Sequence, residues 1–176
     1  MNSRSAIISV LLLCAATVAC VHPFHSGGGS STPGLNLTPG TKILMGEIAD
    51  GSGADGVVVG SGSSMSAEIR KDLLEFRFSV QPSKFTGLAE LLAEAQEKGQ
   101  EYVLYGRIPK WEDNATTWSG KRDYSSLALE LYRVSDGTMV GSSNRVVEGV
   151  TVPEDWIPWL AIAAIDDVLG RTPPHW

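Results

Sequence analysis

A chain of 176 residues, 43% hydrophobic and 19% charged, has the composition of a folded protein and the length of one compact domain plus a leader. Its net charge is −6, and −7 without residues 1–19, which hold Arg4 and no acid. A body this acidic, without a basic stripe, excludes phosphate-backbone binding as its main task, so nucleic acid is not an expected partner. Both cysteines, Cys14 and Cys20, fall in the first twenty residues, which leaves the rest without a disulfide or a thiol nucleophile.

Arg4 followed by the apolar run Ala6–Ala19 reads as an export signal, too short for a permanent membrane span. Thr17-Val18-Ala19-Cys20 resembles the lipobox of bacterial lipoproteins, with Thr17 where Leu is usual. The resemblance implies that residues 1–19 are removed and that Cys20 is diacylated, anchoring the chain to a membrane. The alternative is an ordinary signal peptide cut nearby. Val21 stands after the cysteine where an Asp would favour the inner membrane, so the resemblance implies the outer membrane, facing the periplasm. Residues 20–40, rich in Gly, Ser and Pro, are expected to form a flexible tether. His22 and His25 lie within it, too poorly held to make a metal pair, and no cofactor is expected.

A first strand is expected over 42–48. The glycine-rich segment 50–62 lacks the Gly-Lys-Ser/Thr ending of a phosphate loop, and its acids fall out of register for calcium; it reads as a mobile loop. Ser64 or Ser66 is the expected cap of a helix whose Ile69, Leu73 and Phe76 recur at helical spacing. Phe76, Phe78 and Val80 then alternate as a half-buried strand ending at Pro82. A second helix is expected over 86–98, with Leu88, Leu91, Leu92 and Ala95 inward and Gly99 as its stop. The strand 102–108 is apolar on both faces and is expected at the centre of the sheet. Leu127, Leu129 and Leu131 mark another strand, Ser135-Asp136-Gly137-Thr138 a hairpin turn, and 140–147 the return strand. A last helix is expected over 156–169, with Pro158 in its first turn. Asp166 and Asp167, at its unfavourable dipole end, are expected to face solvent, and 171–176 is a tail.

Two early connections cross over helices and the later ones form a meander. The expected architecture is therefore α/β: one domain over 41–170, with a mixed sheet of about five strands and helices packed over it. This order is similar to that of envelope lipoproteins of the curli-secretion, Pel-export and penicillin-binding-protein-activator kind, which share a fold with the N-terminal domain of TolB. The motif Trp111-Glu112-Asp113-x-Ala115-Thr116-x-Trp118-Ser119-Gly120-Lys121 resembles the signature of an uncharacterised proteobacterial lipoprotein family, a domain of unknown function. The resemblance implies a fold and a cellular place, not an activity.

The three histidines, His22, His25 and His175, all lie in expected tails, so a Ser-His-Asp set or a histidine-held catalytic metal is not expected. Glu112 or Asp113 with Asp123 is a carboxylate pairing that hydrolysis could use, although adjacent acids at a turn are more often solvated or capping groups. Trp111, Glu112, Asp113, Thr116, Trp118, Ser119 and Lys121 have two readings. They are either a structural lid over the sheet end or a platform for a partner, glycan or peptide. Trp111 is expected to be the buried tryptophan and Trp118 the more exposed one. Trp156 and Trp159 are expected partly off the core stripe, as an interface with another subunit or a bilayer. The expected function is that of a non-enzymatic outer-membrane lipoprotein, accessory or scaffold in a cell-envelope assembly, with an envelope protein partner or a homo-oligomer. The alternative is a periplasmic glycan- or peptide-binding module using the Trp111–Trp118 loop.

Overall fold

The computed structural model describes residues 24–54, 56–114, 120–149 and 153–172. Its chain order is β1 (Phe24–Ser31), β2 (Lys42–Met45), β3 (Ser52–Gly53), β4 (Gly56–Val57), α1 (Ser61–Glu75), β5 (Ser79–Pro82), α2 (Leu88–Glu97), β6 (Tyr102–Arg107), β7 (Trp111–Glu112), β8 (Asp123–Arg133), β9 (Met139–Gly149), a 3-10 turn (Pro153–Trp156) and α3 (Ile157–Val168). The main sheet runs β1-β9-β8-β6-β2-β5, with β7 added to β8, and β3–β4 form a small separate hairpin. The fold class is the expected one, an α/β mixed sheet, with seven strands in the main sheet rather than about five. β6 is central, parallel to β2 and antiparallel to β8, which accounts for its apolar character on both faces.

Two cores flank the sheet. The larger lies between the sheet and α1 plus α3, where Ile69, Leu73, Leu160 and Ile165 meet Leu127, Leu129 and Leu131. The smaller sits under α2 and consists of Leu44, Leu91, Ala95 and Val103. Gly99 takes φ +62 after α2 and Gly137 φ +67 in the β8–β9 turn, left-handed positions that favour glycine.

The segment expected to be a flexible tether differs most. Residues 24–31 form β1, antiparallel to β9 over eight residues from Phe24↔Glu148 to Ser31↔Gly141. Glycine here is a packing requirement. A Cβ on Gly29 would lie 2.1 Å from the Ser142 carbonyl oxygen and 2.6 Å from Asp167 Cβ, and Gly27 has φ +91. Only a bare backbone fits between β9 and α3, so a run that looks like a linker is an edge strand.

Asp166 and Asp167 do not face solvent: they are 4% and 8% exposed. Arg145 makes a two-pronged ion pair with Asp167, Nε to Oδ2 at 2.7 Å and Nη2 to Oδ1 at 2.6 Å. Ser143 Oγ donates to the same carboxylate at 2.7 Å, and Arg145 Nη1 donates to the Gly27 carbonyl. One guanidinium thus ties β1, β9 and α3 together, outweighing the helix-dipole preference. The tail expected from 171 also has partners at its start: the Arg171 guanidinium lies over the Phe76 ring at 4.1 Å and near Asp166.

α1 begins at Ser61, earlier than either expected serine cap. Its first turn is closed by Asp50, whose carboxylate accepts from the Gly60 and Gly62 amides at 3.1 and 2.9 Å, as an anion suits a helix N-terminus. The glycine-rich segment is accordingly a hairpin plus a helix start rather than a mobile loop. Among the described residues, no helix is long and apolar enough to cross a membrane.

Candidate functional site

β6 leaves the centre of the sheet at Arg107 and turns through Pro109. The corner is pinned by Ser126, whose hydroxyl accepts from the Lys110 amide at 2.9 Å and donates to the Lys110 carbonyl at 3.0 Å. This delivers β7, where Trp111 opposes Ser125 and Glu112 opposes Tyr124. Trp111 is 0% exposed, as expected, and its ring belongs to the main core. Its indole Nε1–H meets no acceptor among the described residues, nor does the Ser125 hydroxyl across the ladder have a partner there.

The polar residues of the loop divide by role. Glu112 pairs with Lys110 at 3.0 Å, and the Lys110 ammonium sits 4.4 Å over the Tyr124 ring. Asp113, Lys121 and Arg122 are exposed. The neck is held by Asn114 and Asp123. The Asn114 amide donates to Asp123 Oδ1 at 2.6 Å, and Asn114 Nδ2 to the Arg122 carbonyl at 2.7 Å. Asp123 is buried and closes a loop rather than facing Glu112 or Asp113 across a substrate. Thr116, Trp118 and Ser119 lie outside the described residues, as do Cys20, His22 and His175.

The β3–β4 hairpin packs onto β7, with Gly53 so close that a Cβ there would stand 2.1 Å from the Trp111 carbonyl oxygen. Between them is an open cleft of about 230 Å³ lined by residues 53, 54, 56–58 and 111–114. Sequence reasoning missed Asp50, Asp123 and Ser126 as the residues that shape this end. The available signals were Asp50 ahead of a Gly-Ser helix start and Asp123 at the first position of a strand.

The expected Trp156–Trp159 interface separates. Trp156 is buried in the main core and presents no ring to a partner, because the 3-10 turn before α3 rotates it inward. Trp159 is half-buried and stacks on His25 of β1, ring centres 4.0 Å apart. Burial lowers the His25 pKa, which suits a neutral ring on an indole face. Trp159 also lines a groove between α1 and α3 with Glu68, Asp72, Glu75 and Asp155. Asp72 is 6% exposed, and its carboxyl is pushed up to about 6, first by burial and then by Glu68. Among the described residues no group of three or more His, Cys, Asp or Glu side chains could hold a metal ion.

A raised carboxyl pKa has a definite stability consequence. Between pH 4 and 6 the folded state holds a proton at Asp72 that the unfolded chain releases, so the contribution of Asp72 to stability falls as pH rises through that window. Asp72→Asn is expected to gain of the order of 1–2 kcal/mol at pH 7, allowing for solvent screening of a groove residue. The gain should vanish near pH 4. Urea denaturation at both pH values measures it, and equal effects at both would sink the assignment.

The family described as "Domain of unknown function (DUF4823)" matches residues 35–149. The PelC dodecamer from Paraburkholderia phytofirmans is similar in structure at 20% identity and a TM-score of 0.66, over 85% of this chain and 99% of that one. A second PelC dodecamer structure from the same organism gives 19% and 0.62, over 84% and 100%. The LpoB C-terminal domain from Salmonella enterica gives 14% identity and a TM-score of 0.47, over 64% of this chain and 84% of that one. The PelC likeness is one of fold. No curated protein matches the chain.

Proposed function

Because this chain belongs to the DUF4823 family, whose description names no reaction, we propose from its fold and its N-terminus that it is a non-enzymatic, lipid-anchored lipoprotein of the outer membrane, an accessory or scaffold component of a cell-envelope assembly. The observation that carries this reading is the extent of the PelC likeness, which covers 99% of that chain. Almost nothing of that solved chain is left over, and it is a dodecamer, so self-assembly is the property this fold most directly suggests. The lipobox-like stretch ending at Cys20 supplies the anchor, and an envelope partner or further copies of the chain supply the assembly.

Cys20→Ser tests the anchor. It is expected to abolish palmitate labelling and move the protein out of the membrane fraction; a variant still labelled and sedimenting with membranes sinks the lipoprotein reading. Crosslinking in intact cells, followed by detergent extraction, tests the assembly. A species several times the mass of one chain is expected, and a monomer without crosslinked partners rejects the scaffold role. A second reading, a periplasmic glycan- or peptide-binding module, has the cleft beside Trp111 in its favour. Tryptophan fluorescence titrated with peptidoglycan fragments separates it from the first.

A further inference from the structure

The register of β1 fixes more than an extra strand. Phe24 pairs with Glu148, Asp123 with Gly149, and Glu112 with Tyr124. The start of β1, the end of β9, the start of β8 and β7 therefore share one end of the sheet. β2 and β6 are parallel and both run toward that end, so the β3–β4 hairpin that follows β2 lies there as well, packed on Trp111. The turn between β8 and β9, with Asp136, lies at the opposite end.

Only residues 21–23 separate Cys20 from the first paired residue, Phe24. Four Cα steps at full extension span about 14 Å, about twice the thickness of one headgroup layer. A twenty-residue tether would leave the domain free above the membrane, whereas this one holds a particular end of the sheet against it. That end carries Val57 and Val59, which at 66% and 89% exposed are the most exposed large hydrophobic side chains among the described residues. Around them acids and bases are interspersed, with Lys110 on Glu112 and Arg122 near Glu148. Such a rim offers no net basic patch for anionic phosphate and suits a zwitterionic headgroup layer.

We infer that the β3–β4 hairpin is a second membrane contact: Val57 and Val59 rest in the headgroup region of a phosphatidylethanolamine-rich bilayer, and the lipid at Cys20 with the short 20–23 segment holds them there. This rests on the lipoprotein reading above and adds an orientation to it. The apolar contribution of two valines is too small to bind a membrane alone, so the hairpin acts only on a chain already anchored. Its contact should be insensitive to salt.

The test uses the acylated full chain in phosphatidylethanolamine–phosphatidylcholine vesicles, with an environment-sensitive fluorophore on Val59→Cys or, as the far-end control, Asp136→Cys. The Val59 label is expected to shift to the blue and to be quenched several-fold more by shallow nitroxide lipids than the Asp136 label. A long Gly-Ser insertion between Pro23 and Phe24 should abolish that difference while the protein stays on the vesicles. Equal quenching at the two positions, or a difference unchanged by the insertion, overturns the inference. Palmitate labelling of the same samples distinguishes the two failures, because an unacylated Cys20 refutes the anchor itself and with it this orientation.

Discussion

Trp111→Ala is expected to cost about 3–5 kcal/mol, the range for emptying a large aromatic site in a packed core. That is a large part of the 5–15 kcal/mol typical of a domain. The ring is 0% exposed, and it stands where β7, β8 and the β3–β4 hairpin meet, so the cavity cannot close without moving three elements. Trp111→Phe should lose only about 1–2 kcal/mol, because it keeps most of the ring and removes an N–H that makes no bond among the described residues. Chemical denaturation of both variants checks this. A loss within about 1 kcal/mol for the alanine variant would show that Trp111 acts as a surface residue, and would return it to the binding-platform reading.

Arg145→Ala is the second large effect. Arg145 and Asp167 side chains are 15% and 7% exposed, and removing one partner leaves the other charge in a poorly solvated place. The expected loss is about 3 kcal/mol or more. Asp167→Ala should cost a similar amount, and the double variant little more than either alone, since the second change removes the stranded charge. The defect should also be local. Arg145 reaches the Gly27 carbonyl, so amide exchange over 24–31 should rise before exchange in β8 does. Additive losses in the cycle, or exchange that rises uniformly, would refute the view that this pair fastens β1 to the fold.

How much of the molecule was legible beforehand depends on the range of the interaction that decides each feature. The helical spacing of Ile69 and Leu73, the alternation of Leu127, Leu129 and Leu131, and the Asp136-Gly137 turn are set by neighbours along the chain. They carried the α/β class, the two-faced apolar run of 102–108 carried the central place of β6, and the position of Trp111 just after that strand carried its burial. The candidate loop was visible as a dense aromatic and polar motif. Its neck was not, because Asn114 and Asp123 reveal their roles only once β7 and β8 are paired.

The sequence by itself determined the three helices, the strands β2, β5, β6, β8 and β9, the two helical crossovers, the meander and the acidic character of the body, since each follows from short-range periodicity or composition. Tertiary structure alone decided that Gly27 and Gly29 belong to a strand, that Asp50 caps a helix ten residues on, and that Asp167 is buried against Arg145. In each case the deciding partner is remote in the chain. A glycine looks like a linker until another backbone is 2.1 Å from where its Cβ would be, and a helix carboxylate looks solvated until a guanidinium from a strand meets it.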